Sequence, residues 1–397
     1  LAELAAYRNG YDVGAADRIF SRTPDTQLTA WADDPNLAGP NYGGSYLFMV
    51  YFLERFGDEV LRQVVASKTN GIAGFDEVLA DRELGGTFED IFADWLIANY
   101  LDDPSLGDGR YGYRDLAIEG LAVDATYNQY PVQSTATVHQ YGADYIELQA
   151  GEGDVVVHFT GSTTVRLVDN EAHSGSYQWW SNRGDESNTT LTRAFDLTGL
   201  EQATLQAWLW YDIEEDYDYA YVEVSTDGGQ TWELLPGKYT TDYNPVGNSF
   251  GQAYTGKSGV EADASEDSDV TPQWVLEEMD LTPYAGQQIL LRFEYITDDA
   301  YNSSGFCVDD ISIPELGYRY DAEDDDGWMA VGFIRTDNTL PQRYLVQLIE
   351  LGTETRMHRI ELDEAQRGQW VIEGLGGEVE RAVLVVSALA PKTTEVA

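Results

Sequence analysis

Over the first hundred residues apolar positions recur at helical spacing. GGSYLFMVYFLERFG (43–57) is apolar almost all round up to Phe52, which predicts a helix buried inside a lobe. Asp58 is placed to cap a following helix with a Val60, Leu61, Val64, Val65 stripe. Thr87 with Asp90 makes a capping-box-like start ahead of the face Phe88, Ile91, Phe92, Trp95, Leu96. LDDPSLGDG (101–109) reads as a linker. After Tyr113 the period becomes two and stays so: TVHQYGADYIELQ (137–149), DVVVHFTG (154–161), QQILLRFEYIT (287–297) and CVDDISI (307–313) all read as strands.

The stretch from Ala203 to Trp232 carries this pattern most clearly. Ala203, Leu205, Ala207 and Leu209 share one face, with Thr204, Gln206, Trp208 and Trp210 on the other. Ala220, Val222 and Val224 then alternate with Tyr219, Tyr221 and Glu223. Asp227-Gly228-Gly229 supplies a hairpin reversal. Between the two strands lie five carboxylates, Asp212, Glu214, Glu215, Asp216 and Asp218, with no Lys or Arg among them. Such a concentration either faces water or holds a cation. The loop over 239–274 is longer than a hairpin needs, and loops of that size are usually functional or mobile.

Composition narrows the class. The 397 residues allow two or three domains, and 43% hydrophobic with 12% aromatic content excludes disorder. Asp plus Glu number 70 against 23 Lys plus Arg, a net charge of −47. That charge repels nucleic acid and anionic membranes and tolerates divalent cations. It suits a secreted or salt-adapted protein. No 18-residue apolar run predicts a membrane span. The single cysteine, Cys307, excludes a disulfide framework and a cysteine-based metal cluster, and its place in FCVDDISI predicts a small core residue. No signal peptide is visible. The opening LAELAAY reads as the middle of a helix without an initiator Met, as in a processed or truncated product.

Several long blocks resemble the secreted zinc metallopeptidases of the immune inhibitor A type. They are AHSGSYQWWSNRGDESNTTLTRAFDLTG, ATLQAWLWYDIEEDYDYAYVEVSTDGGQTW, DLTPYAGQQILLRFEYITD and VDDISI, flanked by HQYGADYIEL and GWMAVGFIRTDNTLPQRYLVQLI through AVLVVSALAPKTTE. The resemblance spans roughly 135–397. It implies a multidomain α plus all-β chain: an N-terminal helical lobe, then a β-sandwich with an inserted jelly-roll (MAM-like) β-sandwich. The expected boundaries are 1–112 for the helical lobe, 113–164 with 317–397 for the split sandwich, and 165–316 for the insert. The lobe is similar to the helical half that follows the active-site helix of gluzincin-type peptidases.

In that family an HExxH helix and a downstream Glu motif hold zinc. No HExxH occurs in these 397 residues, and His139, His158, His173 and His358 lack zinc spacing. The resemblance therefore implies zinc in an intact parent only, with this chain inactive alone and partnered by an upstream catalytic segment of the same precursor that acts on peptide or protein substrates. Calcium is the cofactor expected here. Jelly-roll modules of related type bind it between a first loop and a closing Asp-Asp pair, so Glu171 and Asp309 are the first candidates. Alternation would put Asp309 and Asp310 on opposite faces, leaving at most one as a ligand. Glu214 and Asp218 are the second pair, with solvated edge charge as the competing reading of each cluster.

Tyr42 and Tyr46 stand where a gluzincin could steady a tetrahedral intermediate, although core packing accounts for them more simply. Arg183-Gly184-Asp185 spells a tripeptide that also occurs by chance. Trp208, Trp210, Tyr219 and Tyr221 read as an aromatic face for a sugar, a peptide or an adjoining domain. The competing class of function is a non-enzymatic extracellular structural or binding protein, built from the same modules and recognising a surface, a glycan or copies of itself.

Overall fold

The structure, a computed structural model, describes residues 1–31, 35–118, 120–151, 153–260 and 270–397. Residues 261–269 of the long 239–274 loop therefore lie outside the described residues. The described chain divides into two compact units, one of residues 1–167 with 340–397 and one of residues 168–339.

The first unit opens with helices α1 (Ala2–Arg8), α2 (Ala16–Arg22), α3 (Gly39–Ala66), α4 (Gly71–Asp81) and α5 (Phe88–Leu101). The apolar run predicted for a buried helix forms the first half of α3, and Leu47, Val50, Tyr51 and Phe52 are all buried. α3 breaks at Gly57, whose φ of 82° lies in the region that favours glycine. Asp58, just beyond the break and expected as a cap, pairs with Arg8 of α1. Of the stripe expected beyond it, Val60 and Leu61 are buried while Val65 is exposed. α5 starts on the predicted capping box. Asp90 N–H donates to Thr87 Oγ1 at 3.3 Å, and Thr87 N–H donates back to Asp90 Oδ2 at 2.9 Å.

The helices do not close a core of their own. They share one with alternate residues of a seven-stranded sheet, in which Asp144–Gln149, Val379–Ala388, Tyr344–Gly352 and Arg356–Arg359 lie in that order. Tyr145, Leu345, Ile349, Val383 and Val385 face the helices. Leu148, Val346, Leu348, Ala382, Leu384 and Val386 fill a second core on the opposite face. That second face is covered by Gly153–Thr160 and Arg367–Leu375, which pair antiparallel with each other. A strand buried on both faces needs apolar residues at successive positions, as AVLVV (382–386) has. The helical segment and the split β segments, expected as separate domains, are thus layers of one compact unit.

The second unit is built of two sheets. The seven-stranded one runs Gly256–Lys257, Thr204–Ile213, Gly305–Ile313, Gln178–Trp180, Ile334–Thr336, with Val275–Asp280 paired to Thr204–Ile213 and Tyr318–Tyr320 to Gly305–Ile313. The five-stranded one runs Met329–Val331, Asn188–Asp196, Gln288–Ile296, Tyr219–Ser225, Glu233–Leu234. Leu205, Ala207 and Leu209 from the first meet Val222, Val224, Leu291 and Phe293 from the second in a common core. The strands between 318 and 336 were expected with the outer sandwich. They belong here because Tyr320, Trp328 and Phe333 fill this core. Asn338 clasps the unit shut: its Oδ1 accepts from Val168 N–H at 3.0 Å and its Nδ2 donates to the Val168 and Asn170 carbonyls at 2.9 and 2.6 Å.

Thr204–Ile213 and Tyr219–Ser225 sit in different sheets, so the carboxylate-rich segment between them is a crossover at the sandwich edge. Cys307 is a fully buried free thiol, as its setting predicted.

Candidate metal centre

The crossover gathers a site. Antiparallel pairing sets Ile296 opposite Tyr219, so the chain just beyond Ile296 comes beside Asp218. There Glu214, Asp218 and Asp298 each offer a carboxylate oxygen, all within 4.8 Å of one another. Asp218 is fully buried, accepting from Asp298 N–H at 2.8 Å and Tyr295 O–H at 3.3 Å. Burial pushes its carboxyl up to about 7; those hydrogen bonds lower it, and the Asp298 and Asp185 charges raise it further. An all-oxygen set of clustered carboxylates suits a hard cation such as calcium and does not suit zinc, which prefers His and Cys. Glu214 and Asp218 were legible from sequence. Asp298 was not, because only strand pairing brings it there.

The other candidate pair is arranged differently. Asp309 is buried, its Oδ2 accepting from Ser174 N–H at 3.1 Å, and burial pushes it up to about 7. Asp310 is not turned to the opposite face as alternation predicted. The ladder to Thr204–Ile213 is irregular between Asp309 and Ser312, and Asp310 has a φ of 45°. Its carboxylate meets His173 Nδ1 at 2.5 Å and Ser174 Oγ at 3.0 Å, so both acids address one loop. Glu171 is exposed, and its carbonyl accepts from Trp274 Nε1 at 2.8 Å. Among the described residues no cluster of three ligating groups includes Glu171 or Asp309.

Tyr42 is exposed near the start of α3, its ring edge-on to Trp31 at 4.4 Å, whereas Tyr46 is core. The expected aromatic face does not form. Trp210, Tyr219 and Tyr221 are buried, because the 239–274 loop folds over them: Trp210 Nε1 donates to the Pro272 carbonyl and Tyr221 stacks on Phe250. Arg183 and Asp185 are tied to a single residue, Asn302, through Arg183 Nε at 2.8 Å and Asp185 Oδ1 at 2.6 Å. Among the described residues no helix is long and apolar enough to cross a membrane.

Comparison with known proteins bears on the same region. Residues 147–338 match the family described as immune inhibitor A-like, MAM domain. The chain is 31% identical over 159 residues, 40% of its length, to the pre-pro-metalloprotease PrtV of Vibrio cholerae. It is 25% identical over 193 residues, 46% of its length, to immune inhibitor A of Bacillus thuringiensis subsp. alesti. Bacillopeptidase F of Bacillus subtilis is 28% identical over 111 residues, 28% of the chain. The matched stretches span only 15%, 25% and 6% of those relatives' own lengths. Residues 147–338, just under half of the chain, are thus similar to the immune inhibitor A-like MAM domain.

Proposed function

We propose that the chain is the C-terminal portion of a secreted zinc metalloendopeptidase of the immune inhibitor A type, contributing calcium-stabilised accessory β domains and none of the zinc site. The observation that carries this reading is the match of residues 147–338 to the immune inhibitor A-like MAM domain, supported by a relative named as a metalloprotease. The two-sheet unit is then a jelly-roll sandwich, and α1–α5 correspond to the helical lobe of the catalytic domain, with Tyr42 available to a substrate cleft. These 397 residues do not fit a catalytic zinc. They contain no HExxH, and among the described residues the one cluster of three ligating groups is entirely carboxylate. The hydrolytic chemistry falls to an upstream segment of the same precursor, acting on peptide or protein substrates.

Calcium at Glu214, Asp218 and Asp298 would tie the sheet-to-sheet crossover to the loop after Ile296, so that its binding adds to the stability of the sandwich. Two measurements test the proposal. Sequence encoded upstream of Leu1 is expected to contain HExxH followed by an Asn-Glu pair. Residues 1–397 alone, supplied with zinc, are expected to leave casein uncut while the longer precursor cleaves it. Casein hydrolysis by residues 1–397, or an upstream region without the motif, overturns the reading.

A further inference from the structure

Opposite its core face, the seven-stranded sheet of the 168–339 unit bears a cleft of about 520 Å³. Strand register builds its floor. Gln206 pairs with Glu278 on one side and Ser312 on the other, and Ser312 pairs with Arg319. Four side chains from four strands thus form one polar row, in which Gln206 Nε2 donates to Glu278 Oε1 at 2.6 Å and Ser312 Oγ donates to Gln206 Oε1 at 3.3 Å. The next row pairs Trp208 with Leu276, an apolar wall. Above it the irregularity after Asp309 turns Asp310 into the cleft.

We propose that this cleft is a saccharide-binding site, with a pyranose laid against Leu276 and the edge of Trp208, whose ring His173 covers on one side, and its hydroxyls met by Gln206, Ser312, Asp310 and Arg319. The volume lies within the range of small-ligand sites, about 300–1,000 Å³. The wall is apolar while the floor offers donors (Arg319, Gln206, Ser312) beside acceptors (Asp310, Gln206). A sugar ring has the same division, with C–H groups on one face and hydroxyls that both donate and accept around its edge. An apolar ligand would strip water from the Arg319 guanidinium without replacing it, a cost that the mutual hydrogen bonds of Gln206, Glu278 and Ser312 do not offset. A phosphate-bearing ligand would meet Asp310 and Asp321 on a chain of net charge −47. A peptide added as a strand needs an open sheet edge, and this is a sheet face whose backbone is already paired. Arg319 is exposed and makes no ion pair among the described residues, leaving its guanidinium available to ring hydroxyls or a uronate carboxylate.

The test is titration of the full 397-residue chain with cellohexaose, chitohexaose and hexagalacturonate, read by tryptophan fluorescence and calorimetry. At least one is expected to bind saturably, with Arg319→Ala weakening it by about tenfold or more and Ser312→Ala by a smaller factor, both with unchanged melting temperature. Preference for the uronate would assign Arg319 to the carboxylate, and preference for a neutral sugar would assign it to hydroxyls. Absence of binding to all three at about 10 mM, or binding that Arg319→Ala and Gln206→Ala leave intact, overturns the proposal. Either result leaves the accessory role in a peptidase unaffected.

Discussion

The imidazole of His173 lies against the indole of Trp208, 3.8 Å between ring centroids and 18° between planes, while its Nδ1 meets Asp310 Oδ2 at 2.5 Å. One side chain therefore joins the first loop of the 168–339 unit to its central strand and to the last long strand of the same sheet. His173→Ala removes an aromatic contact worth about 0.5–1.5 kcal/mol beyond buried area and leaves Asp310 without its nearest donor. A fall in melting temperature together with a red-shifted tryptophan emission is expected. His173→Phe should restore the stack without the Asp310 bond and recover part of the loss. Equal melting of wild type and both variants would contradict this role.

Calcium addition is expected to raise the melting temperature and a chelator to lower it, with Asp218→Asn abolishing the difference. Asp218 is pushed up to about 7, so calcium must displace its proton below that pH. Apparent affinity should hold above pH 8 and weaken as pH falls, with a limiting slope of about one logarithm per pH unit. Calorimetry in buffers of different ionisation enthalpy would reveal the released proton. Pairing Asp309→Asn with Asp218→Asn separates the two candidate sites.

Without divalent cations, stability should fall as pH rises through the neutral range. Glu223 is buried, and burial with the neighbouring Glu294 charge pushes its carboxyl up to about 8 from a reference of 4.5, against the Arg292 guanidinium at 3.3 Å. The folded state thus keeps a proton that the unfolded chain has released. The contribution is full below the unfolded value and is lost as pH rises toward 8. Thermal melts from about pH 5.5 to about 8.5 in chelator are expected to show this decline, with Glu223→Gln reducing it and Asp218 and Asp309, each pushed up to about 7, supplying the remainder. A stability rising with pH in wild type would refute the assignment.

Thr87→Ala is expected to cost about 1 kcal/mol through loss of the α5 cap, and Thr87→Ser to keep most of it. Denaturant melts with an unchanged slope would show that stability alone had moved.

Legibility followed locality. Thr87 and Asp90 stand three residues apart on one turn, so their capping box could be read directly. The alternation of Leu205, Ala207 and Leu209 likewise follows from strand geometry, and all three are core. Features fixed by distant chain were lost. Trp210 and Tyr221 carry the pattern of an outward face, but the 239–274 loop covers them. Asp310 breaks strict alternation through a backbone irregularity that the letters CVDDISI do not reveal. Asp298 reaches Asp218 across an 80-residue separation. Tyr320 and Trp328 flank the acidic run 321–326, beyond the expected boundary at 316/317, yet their rings complete the preceding core.

The Asn338 clasp holds the two termini of the 168–339 unit side by side through three hydrogen bonds. In the other unit the chain leaves and returns at neighbouring points, where Gln342 N–H donates to the Thr163 carbonyl at 2.9 Å. A module with adjoining ends can be spliced into a host loop without prising the host strands apart, so the host closes a short loop whether or not the guest is present. In the terms of genetic exchange the 168–339 unit is a cassette. It can be gained, lost or traded between chains without either fold having to be reinvented, and a short linker in its place should leave the helix-and-sheet unit able to close on itself.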